Sequence, residues 1–208
     1  MKREIIGAAT LYLGDCVEVL PMLGRFDLLL TDPPYGLGDK WQGGTKKWPL
    51  AKGGAECKAW DMETHPALYD AMKLADTAIV WGGNYYDLPS VRGWLIWDKI
   101  VRQFSSGHCE MAWTNLDQPV RAFNYSHGEL ATEGKYHPTQ KPLPLMTWCI
   151  QQAGEPRFIL DPFMGSGTTG VASVKSGAQF VGVEVHEPYF DIACQRIENA
   201  QRQERLFA

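Results

Sequence analysis

One segment restricts the fold of this chain more than any other. The apolar run Arg157-Phe158-Ile159-Leu160 leads straight into Asp161-Pro162-Phe163-Met164-Gly165-Ser166-Gly167-Thr168-Thr169-Gly170. A small-residue helix follows and ends at a Gly177 cap. Phe180 to Val185 then reads as a second strand, with Glu184 near its end. Strand, glycine-rich turn, helix and strand in that order form a parallel β-α-β unit.

The turn matches G-x-G-x-x-G between strand and helix. Glycine admits close approach of a ligand to the backbone, and a helix amino terminus favours anionic groups. An acid after the second strand can bind two ribose hydroxyls. The pattern therefore indicates an adenosine-containing cofactor and leaves two open. A dinucleotide would put its pyrophosphate on the loop. S-adenosylmethionine would put its methionine part there and its ribose on Glu184.

The rest of the chain repeats this alternation. Leu11 to Leu13 reads as a strand, and Asp15 can cap the next helix with Glu18 in capping-box position. Phe26 to Leu30 reads as a buried strand. A helix begins at Thr64-His65-Pro66 and carries Leu68, Ala71, Met72 and Ala75 on one face. Strands follow at Ala78–Trp81 and Trp94–Trp97. Segments around His108–Trp113 and Val120–Phe123 could pair antiparallel across Asn115–Asp117. Thr139 is placed to cap a helix bearing Leu145, Met146, Cys149, Ile150 and Ala153, and a last helix starts near Pro188. The expectation is an α/β fold with a mainly parallel sheet covered on both faces, in a single domain spanning residues 1–208.

At the end of the Phe26–Leu30 strand stands Thr31-Asp32-Pro33-Pro34-Tyr35-Gly36. In open α/β sheets ligands bind at the carboxyl ends of strands. Two prolines fix φ and remove two N–H donors. What is left is a rigid rim of carbonyls, one carboxylate and one ring. It suits a planar substrate that donates hydrogen bonds, such as an amino-bearing nucleobase. A dehydrogenase gives no reason for Asp32-Pro-Pro-Tyr35, so its presence favours S-adenosylmethionine over a dinucleotide.

The net charge of −4 does not advertise nucleic-acid binding. Charge is uneven, however. Lys40, Lys46, Lys47, Lys52 and Lys58 crowd a loop at about residues 37–60, interleaved with Trp41, Trp48 and Trp60. Such a loop could follow a phosphate backbone. No apolar run reaches the ~18 residues needed to cross a bilayer, and Met1-Lys2-Arg3-Glu4 leads into no signal-like segment. A cytoplasmic protein without membrane contact is the default. The five cysteines form no C-x-x-C pair and read as buried free thiols. A metal site on Cys57 and His65 has poor spacing, and no metal is expected.

Taken together, the motifs resemble those of the beta group of amino-methylating DNA methyltransferases, which modify adenine N6 or cytosine N4. Asp32-Pro33-Pro34-Tyr35 matches the family's [D/N/S]-P-P-[Y/F/W], and Phe163-Met164-Gly165-Ser166-Gly167 matches its F-x-G-x-G. His137-Pro138-Thr139-Gln140-Lys141-Pro142 resembles a third family segment, and Leu13-Gly14-Asp15 the usual opening. Catalytic motif first and cofactor motif last is the permuted order of that group. The resemblance implies a Rossmann-like, mainly parallel sheet of seven strands with one antiparallel strand. It implies S-adenosylmethionine as cofactor, DNA as substrate, and kinship with restriction–modification enzymes. Permuted members often dimerise, so a homodimer is compatible with it. Only the segment at about 99–136 is left for target recognition, an economy resembling phage or mobile-element members.

Carried over residue by residue, the resemblance assigns catalysis to Asp32, Pro33, Pro34 and Tyr35. It assigns cofactor binding to Asp15, His137, Thr139, Gln140, Lys141, Asp161, Phe163, Gly165, Ser166, Gly167, Thr168 and Glu184. Pro188 or Tyr189 could cover the adenine. Lys40, Lys46, Lys47, Lys99, Arg102 and Arg121 are candidate DNA contacts. In the expected mechanism Asp32 and the Pro33 carbonyl accept the two amino hydrogens of a flipped-out base stacked on Tyr35. The methyl moves in line to nitrogen. An initial Asp resembles the adenine enzymes, where Ser is common in cytosine ones, so adenine N6 is the expected target. Cytosine N4, RNA, a nicotinamide-dependent oxidoreductase and a DNA-binding module with a vestigial fold are the alternatives.

Overall fold

The computed structural model describes residues 1–38, 61–100, 102, 107–126, 128–129, 136 and 139–207. The Lys40, Lys46 and Lys47 loop, His137 and Cys57 lie outside these residues. Among the described residues there are nine strands: β1 (Lys2–Ile6), β2 (Ala9–Leu13), β3 (Phe26–Thr31), β4 (Ala75–Trp81), β5 (Trp94–Asp98), β6 (Cys109–Thr114), β7 (Arg121–Asn124), β8 (Phe158–Asp161) and β9 (Gln179–Glu184). They make one sheet in the order β1-β2-β9-β8-β3-β4-β6-β5-β7.

The stretch from β2 to β5 in that order is the expected seven-stranded sheet, and within it β6 alone runs antiparallel to its neighbours β4 and β5. Two edge strands extend it to nine. β1 folds back on β2 as an antiparallel hairpin. β7 pairs parallel with β5, from Leu95↔Arg121 to Asp98↔Asn124. The antiparallel pairing expected between the segments around residues 108–113 and 120–123 does not occur. Both sides of β6 are already occupied, by β4 and by β5.

The helices are α1 (Cys16–Val19), α2 (Ala67–Lys73), α3 (Leu143–Gln152), α4 (Thr168–Lys175) and α5 (Glu187–Phe207). Strand residues alternate between two cores, as the period of two requires. Leu28, Leu30, Ile79 and Trp81 join α3, α4 and α5 on one face, with Leu145, Ala172, Phe190 and Ile197. Leu29, Ala78, Val80 and Leu160 join α1 and α2 on the other, with Val19, Leu68 and Ala71. Burying each such leucine stabilises the fold by about 1.5–3 kcal/mol. α1 begins where expected: Asp15 accepts a hydrogen bond from the Val17 N–H at 2.9 Å. Two boundaries move. Ala75 starts β4 instead of closing α2, and Pro142, not Thr139, precedes α3.

This arrangement sets where a site can lie. β8 leads through α4 to β9 on one side, and β3 leads through α2 to β4 on the other. The chain therefore leaves the β8–β3 pair in opposite directions, and the crevice beyond their carboxyl ends is a topological switch point. Among the described residues no helix is long and apolar enough to cross a membrane.

Candidate active site at the β3–β8 switch point

β3 and β8 are hydrogen-bonded neighbours, with Leu28 opposite Ile159 and Leu29 opposite Leu160. Their carboxyl ends bring together the two motifs that the sequence keeps far apart. Thr31 donates to Asp161 Oδ1 at 2.7 Å, Thr169 donates to Oδ2 at 2.6 Å, and the Phe163 N–H adds a third bond at 3.1 Å. Asp161 was expected to contact the cofactor. The residue is only 2% exposed, and its carboxylate ties β3, β8 and α4 together. Burial, the main cause, pushes it up to about 6, while the two hydroxyls pull it down.

Asp32 follows directly on β3. Its Oδ1 accepts from the Tyr35 hydroxyl at 2.5 Å and its Oδ2 from the Lys141 ammonium at 2.6 Å. Burial raises the Asp32 carboxyl above the usual range, and Lys141 opposes the shift. Lys141 was grouped with the cofactor residues, but it faces the Asp32 carboxylate and lies 3.0 Å from Glu110 on β6. For Lys141, burial works against the charge. Asp32 and Glu110 more than offset it and hold the ammonium protonated.

Four residues that sequence reasoning missed shape the Tyr35 loop. Asp61 Oδ1 accepts from the backbone N–H groups of Tyr35 and Gly36 at 2.5 and 2.9 Å. Tyr86 donates to the Pro34 carbonyl at 2.5 Å. Tyr85 stacks on the Tyr35 ring, centroids 5.0 Å apart and planes at 20°. Gly82, at φ +66°, passes beneath that ring, where a Cβ would fall 1.9 Å from it. The Gly82-Gly83 pair directly after β4 is a local sign of this packing.

On the cofactor side, Gly167 has φ +79° and packs against Ala193 of α5, where a Cβ would come within 2.8 Å. Ser166 and Thr168 are buried, and Arg196 of α5 donates to the Ser166 carbonyl and hydroxyl and to the Thr168 hydroxyl, at 2.6, 3.0 and 3.2 Å. These two hydroxyls are thus held by the protein itself. Gly165 turns at φ +52°. Glu184 ends β9 opposite Leu13 of β2, which puts it at the same sheet end as Asp15. It accepts from the His186 N–H at 2.8 Å. Burial drives its carboxyl up to about 7, with backbone donors, Gly165 among them, opposing. Phe163 is partly buried with its ring edge-on to His65 at 5.2 Å. Gln140 is buried and accepts from the Tyr136 N–H at 3.0 Å, and Thr139 is half-buried.

The expected DNA contacts divide. Lys99 is only 3% exposed and pairs with Glu110 at 2.7 Å, so it is an interior residue rather than a surface contact. Arg102 is paired with Asp98. Arg121 is exposed on the β7 edge. Cys109 is exposed rather than buried. Asp15, Cys16 and His65 lie within 4.8 Å of one another. Burial first, then Asp15, pushes the Cys16 thiol up to about 12.

The N6/N4 methyltransferase family model, described as DNA methylase, matches residues 80–195. The chain belongs to this DNA methylase family. Among relatives, it is 28% identical to the protein named methylase YubD of Escherichia coli (strain K12), over 210 residues covering 91% of this chain and 90% of that one. It is 26% identical to the type II methyltransferase M.HinfI of Haemophilus influenzae, over 249 residues covering 90% and 68%. Its fold is similar to that of M1.HpyAVI solved with S-adenosylmethionine, with a TM-score of 0.60 at 20% identity, covering 91% of this chain and 98% of that one. It is also similar to the cytosine-N4-specific PvuII DNA methyltransferase, at 0.59 and 15%, covering 95% and 93%.

As a DNA methylase of this family, the protein uses S-adenosylmethionine as methyl donor. Its residues fit that cofactor. The Gly165 turn leads into the α4 amino terminus, and the desolvated Glu184 carboxylate beside it suits a pair of hydroxyl donors. Asp15 stands at the neighbouring strand end.

Proposed function

We propose that this DNA methylase acts on the exocyclic N6 of adenine. One observation carries methyl transfer to an amino group: the half-buried Asp32 carboxylate, fixed by Tyr35 and Lys141, stands one residue from the Thr31–Asp161 bond that joins it to the cofactor loop. An aromatic amino nitrogen is a poor nucleophile because its lone pair is delocalised into the ring. A carboxylate uses two of its roughly four lone-pair positions on Tyr35 and Lys141, and the others can accept an amino hydrogen. Tyr86 occupies the Pro34 carbonyl, so Pro33 is the motif carbonyl assigned to the second hydrogen.

Together these acceptors draw the nitrogen toward tetrahedral geometry and stabilise its developing positive charge. Bound S-adenosylmethionine supplies the electrophilic methyl group. Afterwards one proton leaves the nitrogen, to Asp32 or to water, and the raised Asp32 carboxyl suits that receipt. The base must leave the helix to reach Asp32. Tyr85 is 45% exposed and holds the stacking position on Tyr35 that a flipped base would take. Glu184, Asp15 and the Gly165 turn are assigned to the cofactor, and exposed Arg121 to the DNA backbone.

The Asp at position 32 supports adenine. Cytosine N4 presents the same pair of N–H donors and is the second reading, favoured by the fold likeness to PvuII methyltransferase. The test is to incubate the enzyme with DNA and cofactor, digest to nucleosides and identify the product by mass. N6-methyladenine is expected. N4-methylcytosine alone would reject the adenine reading and leave the family intact.

A further inference from the structure

Behind Asp32 the interior holds an alternating row of charges. Lys141 bridges Asp32 and Glu110, at 2.6 and 3.0 Å, and Lys99 closes the row on the other Glu110 oxygen at 2.7 Å. Four separate elements supply them: the end of β3, β6, the residue after β5, and the turn before α3. Lys99 and Lys141 are 3% and 5% exposed. The side chains of Asp32 and Glu110 keep 20% and 26% of their exposure, so two buried ammonium groups rest on two half-buried carboxylates. Buried charges cost stability unless each is paired, so such a row calls for a function. Two cations and two anions leave it neutral.

We infer that Glu110 is a positioning residue for methyl transfer: by sharing the Lys141 ammonium, it holds that cation in place without letting it neutralise Asp32, whose carboxylate stays free to accept the amino hydrogen. The inference rests on the role proposed for Asp32. Lys141 also touches the Tyr35 hydroxyl at 3.1 Å, so its position bears on the Asp32 carboxylate both directly and through the Tyr35 hydroxyl that donates to it. If Glu110 lost its charge, Lys141 would bear on Asp32 alone. The carboxylate would then be a weaker acceptor and harder to protonate. Glu110 is itself pulled down to about 2, where burial resists ionisation but Lys141 and Lys99 outweigh it, so its charge is present at all working pH. The other groups facing Asp32 are Tyr35, Tyr86 and Asp161.

The test compares wild type, Glu110→Gln, Glu110→Asp and Lys99→Met, scoring total methyl transferred to mixed-sequence DNA whatever the base. Glu110→Gln should lower kcat by about tenfold or more, with KM for DNA and cofactor within about twofold. Its acid limb of kcat should move to lower pH, because Asp32 loses an anionic neighbour. Lys99→Met should move that limb to higher pH, because Glu110 loses a cation. Glu110→Asp should restore most of kcat. Wild-type kcat in Glu110→Gln, or a fall with the limb unmoved, would overturn the inference. Should Glu110→Gln not fold, an unmoved limb in Lys99→Met does the same. A cytosine product would reject only the adenine reading, whereas near-normal activity in Asp32→Ala would remove the Asp32 role and this inference with it.

Discussion

The ammonium of Lys141 sits 2.6 Å from Asp32 Oδ2 across 109 residues of sequence. The catalytic motif and the segment ahead of the cofactor motif therefore meet in one ion pair, beside a strand pair that joins Thr31 to Asp161. The two motifs share a single corner of the sheet.

Asp32→Ala removes the carboxylate at that corner. Turnover should fall by roughly 10²–10³-fold or more, the cost of losing a preorganised acceptor where charge develops. Cofactor affinity should change little, since Glu184 and the Gly165 turn are untouched. Methyl incorporation and calorimetric titration of the cofactor give the two readouts. Near-normal turnover would sink the role assigned to Asp32.

Much of the corner was legible before the fold was known. Apolar runs ending in Asp-Pro-Pro-Tyr and in a glycine turn mark strand ends, and a parallel sheet puts such ends on one side. What escaped notice depends on distant pairing. The Lys2–Ile6 segment shows no clear alternation and becomes a strand only through its hairpin with β2. β7 sits beside β5 because β6 is already flanked, a fact of sheet order that local pattern does not carry. Lys141 was assigned to the cofactor through the family segment His137–Pro142, and only the fold shows that it faces Asp32. Glu110, Asp61 and Tyr85 have no local signature, because their roles exist only once β3 and its neighbours pair.

The Thr31–Asp161 bond should reveal itself in stability. Asp161 titrates at about 6 in the folded protein against an ordinary 3.8. The folded state thus binds the proton more tightly, and this residue's contribution falls as pH rises from about 4 to about 6, by an amount on the order of 3 kcal/mol. Thr31→Val takes away one donor to the charged form. It should cost about 1–3 kcal/mol, with the larger loss above pH 6. Urea unfolding at pH 5 and pH 7 measures both. An equal loss at the two pH values would mean the hydroxyl does not stabilise the carboxylate.

Glu184 offers a pH signature for the cofactor. Burial holds its carboxyl at about 7, so it is half-ionised near neutrality. The ionised form is the better acceptor for ribose hydroxyls. S-adenosylmethionine affinity should therefore strengthen between about pH 6 and pH 8, and Glu184→Gln should flatten that dependence while weakening binding by about tenfold. Isothermal titration across the range is the measurement, and a pH-independent affinity in wild type would remove Glu184 from the ribose.

Gly82 is the most demanding backbone position at the site. Its φ of +66° disfavours any side chain, and a Cβ there would overlap the Tyr35 ring at 1.9 Å. Gly82→Ala must push Tyr35 off Tyr85 and away from Asp32. The strain should lower stability by about 1–3 kcal/mol. The loss of turnover should exceed what the stability change explains, because the displaced hydroxyl no longer orients the carboxylate. Comparing the melting temperature with kcat at a temperature where the variant stays folded separates the two effects. A variant that is destabilised yet fully active would show that the Tyr35–Asp32 contact is not needed for methyl transfer.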